Sequence, residues 1–291
     1  ESETGMKFVS RFRADEPLFD NHQGPDGPIL AAASYAVMVL EACRQAGLAG
    51  WVELEQVAWR SPLTIDQQQK IPPVTIEILP VAEQDRYVFS VTSEHDDHAF
   101  GRIKMSVRQP SSVGTSFDLS DLRARCGQEI SGERFYAGFQ AKGLRLRDSF
   151  RQVDKLYMGE ESALVTLAEH HKVEGYGPIG PGLLDSILQG VAVLIDPTLQ
   201  KSGLYLPVGL DQLHLGSDFS GVRHVWVQRV DQAYDGKEQR FDLELLDGAG
   251  VCVGFVRGFA LQAVERQKAE KSLGLWQPDW QPVNDDTWKA I

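Results

Sequence analysis

The strongest constraint on the fold is a pattern that occurs twice. A turn rich in glycine and proline at residues 22–28 leads into an apolar, helix-compatible run at 29–48. Strand-like segments rich in valine, isoleucine and aromatics follow at 51–65, 73–79, 86–92 and 99–107. After a Ser/Gly/Pro-rich break at 109–120, the order recurs. Strands are expected around 144–153 and 162–167, then a Gly/Pro loop at 175–182 and a helix at 183–194. Pro181 suits its first turn, and Asp196-Pro197 a stop just past its end. Strands at 205–215, 222–230 and 240–264 close the half, the last read as a hairpin through a turn at 248–250. A repeated order of one helix followed by antiparallel strands predicts a duplicated α+β architecture, with a curved sheet wrapped around a central helix in each half. The expected division is an N-terminal subdomain at 1–118, a linker at 119–133, a C-terminal subdomain at 134–266 and a polar linker to a neighbouring domain at 267–291.

Charge and composition exclude several classes of function. The 29 Lys and Arg against 41 Asp and Glu give a net charge of −12, which disfavours nucleic acid, since phosphate backbones are bound mainly by cationic side chains. The longest apolar runs, at 29–35 and 190–195, fall well short of the roughly 18 residues that cross a bilayer, so no membrane span is expected, and no cleavable signal is read before Met6. Cys43, Cys126 and Cys252 are far apart with no CxxC pair, which fits a reducing, cytoplasmic setting, with Cys43 and Cys252 as small buried hydrophobes. Glu94-His95-Asp96-Asp97-His98 reads as a solvated hairpin turn rather than a metal cluster, and His170, His171, His214 and His224 as surface or packing residues. No metal site is expected. The 175–182 loop lacks a following Gly-Lys-Ser/Thr and is not a phosphate-cradling loop.

Three residues carry candidate chemistry. His22 lies in Leu18-Phe19-Asp20-Asn21-His22 just before a turn and a helix, where an imidazole can accept a proton or serve as a turn residue. Asp185 and Gln189 form a D-x-x-x-Q pair whose spacing of four puts both side chains on one helix face. Leu183-Leu184 and Ile187-Leu188 flank the carboxyl, and desolvation of that kind favours its protonated form, as a general acid requires. The alternative is an acidic residue answering the dipole near a helix start.

Taken together these residues resemble the dehydratase domains of polyketide synthases. That family has a His-x-x-x-Gly-x-x-x-x-Pro motif in its first half and Asp-x-x-x-Gln/His in its second. His22 fits the first, Tyr35 falls where an aromatic is common, and Asp185 and Gln189 after Pro181-Gly182-Leu183-Leu184 match the second. The closing Leu275-Trp276 and Trp280-Gln281-Pro282 resemble the segment leading to the next part of a synthase. The resemblance covers nearly the whole chain and implies a double hotdog fold. It implies loss of water from a β-hydroxyacyl thioester, with His22 as base, Asp185 as acid and Gln189 orienting Asp185. It implies no cofactor beyond the phosphopantetheine arm of an acyl carrier protein, and as partners that carrier, neighbouring synthase domains and a second copy of the chain.

Several motif positions differ. Asp26 stands in the glycine slot with Gly27 beside it, and Ala31 stands in the proline slot. The family's Tyr-Gly-x-x-Phe becomes Leu146-Arg147-Asp148-Ser149-Phe150, and its His-Pro before the second helix becomes Gly180-Pro181. By resemblance Asp26, Gly27, Ala31, Leu146, Phe150, Gly180 and Pro181 would line the substrate and oxyanion site. These departures leave open double-bond migration, ring closure by oxa-Michael addition to a pyran, or a non-catalytic scaffold that assists branching. Lys142, Arg145, Arg147, Arg151 and Lys155 concentrate positive charge in an acidic chain; the first four are carrier-docking candidates, against the plainer reading of a solvated strand edge.

Overall fold

In a computed structural model the described residues are 5–48, 50–65, 70–82, 85–169, 180–195, 203–216, 219–232 and 238–265. The first half contains β1 (Met6–Ser10), α1 (Pro17–Asp20), a small hairpin of β2 (His22–Gly24) and β3 (Gly27–Pro28), the long helix α2 (Ala32–Gln45), and β4 (Trp51–Trp59), β5 (Val74–Pro80), β6 (Arg86–Thr92) and β7 (Asp97–Ser106). The second contains α3 (Leu119–Ala124), β8 (Gln128–Ser131), α4 (Gly132–Ala141), β9 (Arg145–Leu146), β10 (Val153–Met158), β11 (Ser162–Leu167), α5 (Pro181–Gln189), β12 (Gly203–Leu215), β13 (His224–Gln232), β14 (Glu238–Leu246) and β15 (Cys252–Glu265).

Among the described residues one antiparallel sheet of twelve strands runs β1-β5-β6-β7-β4-β12-β15-β14-β13-β11-β10-β8. The duplication is visible in this order. In the first half the strand after the helix, β4, pairs with the last strand, β7; in the second, β12 pairs with β15, and the sequence of strands is then mirrored outward. The halves join where β4 meets β12, with Leu54 opposite Leu213 and Val57 opposite Leu210, all four buried. Alternation places the core: Val74, Ile76 and Ile78 of β5 are buried while Thr75 and Glu77 between them are half-exposed, as a pleat with one covered face requires. Helices α2 and α5 pack against each other inside this double hotdog, and their apolar faces belong to one continuous core spanning both halves.

The expected elements are recovered with instructive differences. The segments read at 86–92 and 162–167 are β6 and β11, and the hairpin read at 240–264 is β14 and β15. The helix read at 183–194 is α5 up to Gln189, after which Gly190–Leu194 tightens into a 3-10 helix. The single strand read at 144–153 is a misreading: β9 is two residues long, a 3-10 turn follows at Asp148–Phe150, and β10 begins at Val153. Asp148 breaks the extended path with φ of +43°, and β9 is drawn off to pair with the β2 hairpin. The segment read as a linker at 119–133 carries α3 and β8, and β8 pairs with β10 at the sheet edge. Helix α3 covers a second apolar cluster that includes Leu122, Cys126, Trp226 and Cys252. Of the 94–98 stretch read as a solvated turn, only Glu94–Asp96 turns between β6 and β7, closed by Ser93 N–H donating to Asp96 O; Asp97 begins β7 and His98 is buried in it, where alternation turns its ring inward. His170, His171, most of the 175–182 loop and the segment from 266 lie outside the described residues, and no described helix is long and apolar enough to cross a membrane.

Candidate active site between the two halves

The imidazole is delivered by the small hairpin. Strand β2 is the middle of a three-stranded sheet, β3-β2-β9, so a strand of the second half hydrogen-bonds directly beside His22, with His22 opposite Leu146 and Gln23 opposite Arg145. Gly27 closes the turn with φ of +126°, a conformation open to glycine. His22 Nδ1 lies 2.9 Å from the Ile29 carbonyl oxygen. A carbonyl only accepts, so Nδ1 carries the hydrogen, and the tautomer this selects for the uncharged ring has its lone pair on Nε2. Phe150, fully buried, packs against the ring at 5.3 Å between centroids.

The carboxyl is delivered by α5. Gly182 lets this helix approach the 148–150 turn closely: a Cβ there would sit 2.5 Å from Ser149 O and 2.6 Å from its carbonyl carbon. One turn on, Asp185 Oδ2 lies 4.0 Å from His22 Nε2, and the two side chains keep only 14% and 13% of their surface exposed. That distance exceeds a hydrogen bond, so the two groups face each other across a gap. Gln189 Nε2 donates to Asp185 Oδ2 at 2.6 Å and to Phe150 O at 3.1 Å, which ties helix, carboxyl and turn together. Burial raises the Asp185 pKa above the ordinary carboxylate range, opposed in part by the nearby His22 and by the Gln189 hydrogen bond.

His22, Leu146, Phe150, Asp185 and Gln189 therefore converge. Ala31 is the buried residue preceding α2, and its φ of −61° is the value a proline ring imposes, so the departure from the motif leaves the chain path unchanged. Gly180 and Pro181 are the buried N-cap and first residue of α5. Asp26 is exposed at the hairpin tip, and no described hydrogen bond or ion pair joins it to His22 or Asp185. Of the basic residues, Arg145 and Arg147 are exposed beside the His22 hairpin, Arg147 N–H donating to Asn21 O at 2.9 Å. The Arg151 guanidinium lies 5.0 Å above the Tyr136 ring, Lys142 is half-buried with its amine pKa lowered by burial, and Lys155 sits 3.9 Å from Asp154.

Sequence reasoning missed the supporting shell. The Ile29 carbonyl that fixes the imidazole left no sequence signal, because any residue supplies one. Tyr136 accepts the Val153 N–H at 3.0 Å, and its buried aromatic place in an amphipathic helix capped by Ser131 was a readable signal. Ser186 accepts the Gln152 N–H at 3.3 Å, and Gln152 Nε2 donates to Ser149 O at 2.6 Å, holding the turn that carries Phe150.

Known proteins match the chain over nearly its whole length. A family described as polyketide synthase dehydratase domain matches residues 1–94, and one described as polyketide synthase dehydratase N-terminal domain matches 114–271. The polyketide synthase PksM of Bacillus subtilis is 24% identical over 97% of the chain, and the chain spans 7% of that synthase. A trans-AT polyketide synthase dehydratase domain from Brevibacillus brevis superposes with a TM-score of 0.75 at 22% identity, covering 90% of this chain and 94% of that one. A pyran synthase domain from module nine of the sorangicin pathway gives 0.78 at 20% identity, covering 91% and 96%. The second family match alone takes in more than half of the 291 residues, and the chain belongs to the polyketide synthase dehydratase domain family.

Proposed function

We propose that this domain removes water from a β-hydroxyacyl thioester delivered on the phosphopantetheine arm of an acyl carrier protein. The observation that carries the reading is an imidazole anchored through Nδ1 to a carbonyl, with Nε2 turned toward and 4.0 Å from a carboxyl whose burial favours its protonated form. His22 Nε2 takes the α-proton and the C–H pair becomes the new double bond. The β-carbon to oxygen bond breaks as Asp185 gives its proton to the departing hydroxyl, so water leaves. The result is an imidazolium facing a carboxylate, and return of the proton across the gap restores the starting state. Gln189 holds Asp185 in place throughout. Neither α2 nor α5 has a side-chain cap at its start; Pro181 has no N–H, and Ser34 and Leu183 donate to Ala31 O and Gly180 O, so the N–H groups of Ala32, Ala33 and Gly182 are the first-turn donors left for the thioester oxygen as it gains charge. The carrier and the adjoining synthase domains are the partners this reaction needs, and a second copy of the chain is a further expected partner.

The test is incubation with a β-hydroxyacyl pantetheine thioester and, separately, its enoyl counterpart, followed by chromatography and mass spectrometry. Wild type should convert the hydroxy compound to the enoyl one, and His22→Ala and Asp185→Ala should not. A His22→Ala variant as fast as wild type would overturn the assignment. Migration of the double bond, or ring closure on a substrate with a suitable hydroxyl, would assign the same pair to a different proton transfer.

A further inference from the structure

A groove that reaches the start of α5, one turn ahead of Asp185, is left unused by the elimination itself. It has a volume of about 410 Å³ and runs between β1, α2 and the start of α5, with Phe8, Phe12, Leu18, Val37, Ile76 and Pro181 among its walls. His22 and Asp185 do not line it, but two wall residues tie it to them. Leu18 precedes His22 by four residues, and Pro181 precedes Asp185 by four on one face of α5, which is about 6 Å of helix rise. Ser34 of α2 also lines the groove. It is 1% exposed, and its hydroxyl has no hydrogen-bond partner among the described residues. A serine inside a helix ordinarily bonds back to the carbonyl one turn earlier, and a buried hydroxyl without any partner is costly. The Glu41 carboxylate, on the more exposed part of the wall, is engaged, accepting from Arg44 at 2.6 and 2.8 Å and from Gln45 at 2.9 Å.

Building on the dehydratase reading, we propose that this groove receives the acyl chain beyond its reacting carbons and that Ser34 selects chains bearing an oxygen, as hydroxyl or carbonyl, several bonds past the β-carbon. The apolar walls suit a hydrocarbon, and the unspent hydroxyl suits one polar atom on it. The carrier arm has its own flank, because Arg145 and Arg147 stand beside the His22 hairpin and neither lines the groove.

The experiment uses a set of β-hydroxyacyl pantetheine thioesters of equal length, one unsubstituted and the others with one added hydroxyl moved outward from the δ-carbon. For at least one position, wild type should show kcat/KM about tenfold above the unsubstituted chain, mostly through KM, and Ser34→Ala should level that preference. Calorimetric binding of the same compounds to His22→Ala reads the preference without turnover. Absence of dehydration in wild type would remove the dehydratase reading, while the binding preference would still decide the role of Ser34. Equal ratios in wild type and Ser34→Ala overturn the proposal, as does an equal loss on every compound, which would assign Ser34 to the arm or to packing. Ser34→Ala removes one unpartnered oxygen, and an unchanged thermal melt checks its fold.

Discussion

The two halves share a strand order but present their reactive groups by different means. In the first, the imidazole stands on a hairpin ahead of α2, and a backbone carbonyl, Ile29 O, fixes its tautomer. In the second, the carboxyl stands on α5 itself, and a side chain, Gln189, fixes its orientation while burial sets its protonation. The placement of the imidazole thus depends on chain path and that of the carboxyl on packing. The helices reflect this: α2 has fourteen residues and starts on Ala31, Ala32 and Ala33, whereas α5 has nine and starts on Gly180, Pro181 and Gly182.

The sharpest way to break the comparison is to remove each group. His22→Ala and Asp185→Ala should each lower kcat/KM for dehydration by about 10²–10⁴-fold, and equal residual rates would show the two acting as one unit. Gln189→Leu should cost about 10–100-fold through misplacement, with a distinguishing pH signature. The Gln189 N–H favours the carboxylate, so its loss raises the Asp185 pKa further, and the alkaline limb of the kcat/KM profile moves to higher pH. An unmoved limb would separate that limb from Asp185. Stability runs the other way. Because the folded Asp185 pKa is raised, folding is favoured while the carboxyl is protonated, and that contribution is lost as pH rises from the ordinary carboxylate range through the raised value. Asp185→Asn should therefore be inactive yet more stable than wild type at neutral pH, by about 1.4 kcal/mol for every tenfold by which burial tightens the carboxyl's hold on its proton, as read by denaturant melts.

The helix starts give the next effect. Gly182→Ala drives a methyl into the Ser149 carbonyl, a backbone group that cannot turn aside, and should cost about 1–3 kcal/mol together with a loss of activity as α5 withdraws from the 148–150 turn. Ala33→Gly at the start of α2 should cost about 0.5–1 kcal/mol and, because it keeps the backbone N–H, lower turnover less than Gly182→Ala. A reversed order in melting temperature would mean that α2, and not α5, is the tightly seated helix.

Each half also braces its reactive residue with a buried tyrosine. Tyr35 accepts the Leu63 N–H at 2.8 Å, and Leu63 O accepts from Leu30, next to the carbonyl that holds His22. Tyr136 accepts from Val153, which follows the turn carrying Phe150. Burial raises both phenol pKa values. Tyr35→Phe and Tyr136→Phe each strand a buried N–H and should destabilise by about 1–3 kcal/mol; a neutral result at either would show water or a shifted backbone satisfying that donor.

Much of this was legible because both halves obey local rules: strands such as β5 and β14 alternate, and D-x-x-x-Q on an apolar helix puts carboxyl and amide together. What escaped depends on distant contacts. Nothing local marks β9 as the partner of His22, or Asp148 as a residue with positive φ. Edge strand β1 is five residues beside a polar start. Helices α3 and α4 bury few side chains, and their marks in the sequence are the caps Asp118 and Ser131 and, in α4, the apolar face that carries Phe135 and Tyr136.

The smallest expected effect concerns the flank that only one half supplies. Arg145 and Arg147 come from the second half but stand beside the imidazole of the first, in a chain with net charge −12. An acidic carrier approaching such a surface is repelled by most of it and drawn to this edge, and exposed charges of this kind act on encounter more than on affinity. Arg145→Glu with Arg147→Glu should lower kcat/KM about 3–10-fold for a carrier-bound substrate at low salt, and progressively less as ionic strength shortens the screening length. A free pantetheine thioester carries no carrier surface, so its turnover should fall less than that of the carrier-bound substrate. Equal losses on both substrates would move these arginines from carrier docking to the support of the His22 hairpin, whose pairing with β9 would then be what the charge reversal had disturbed.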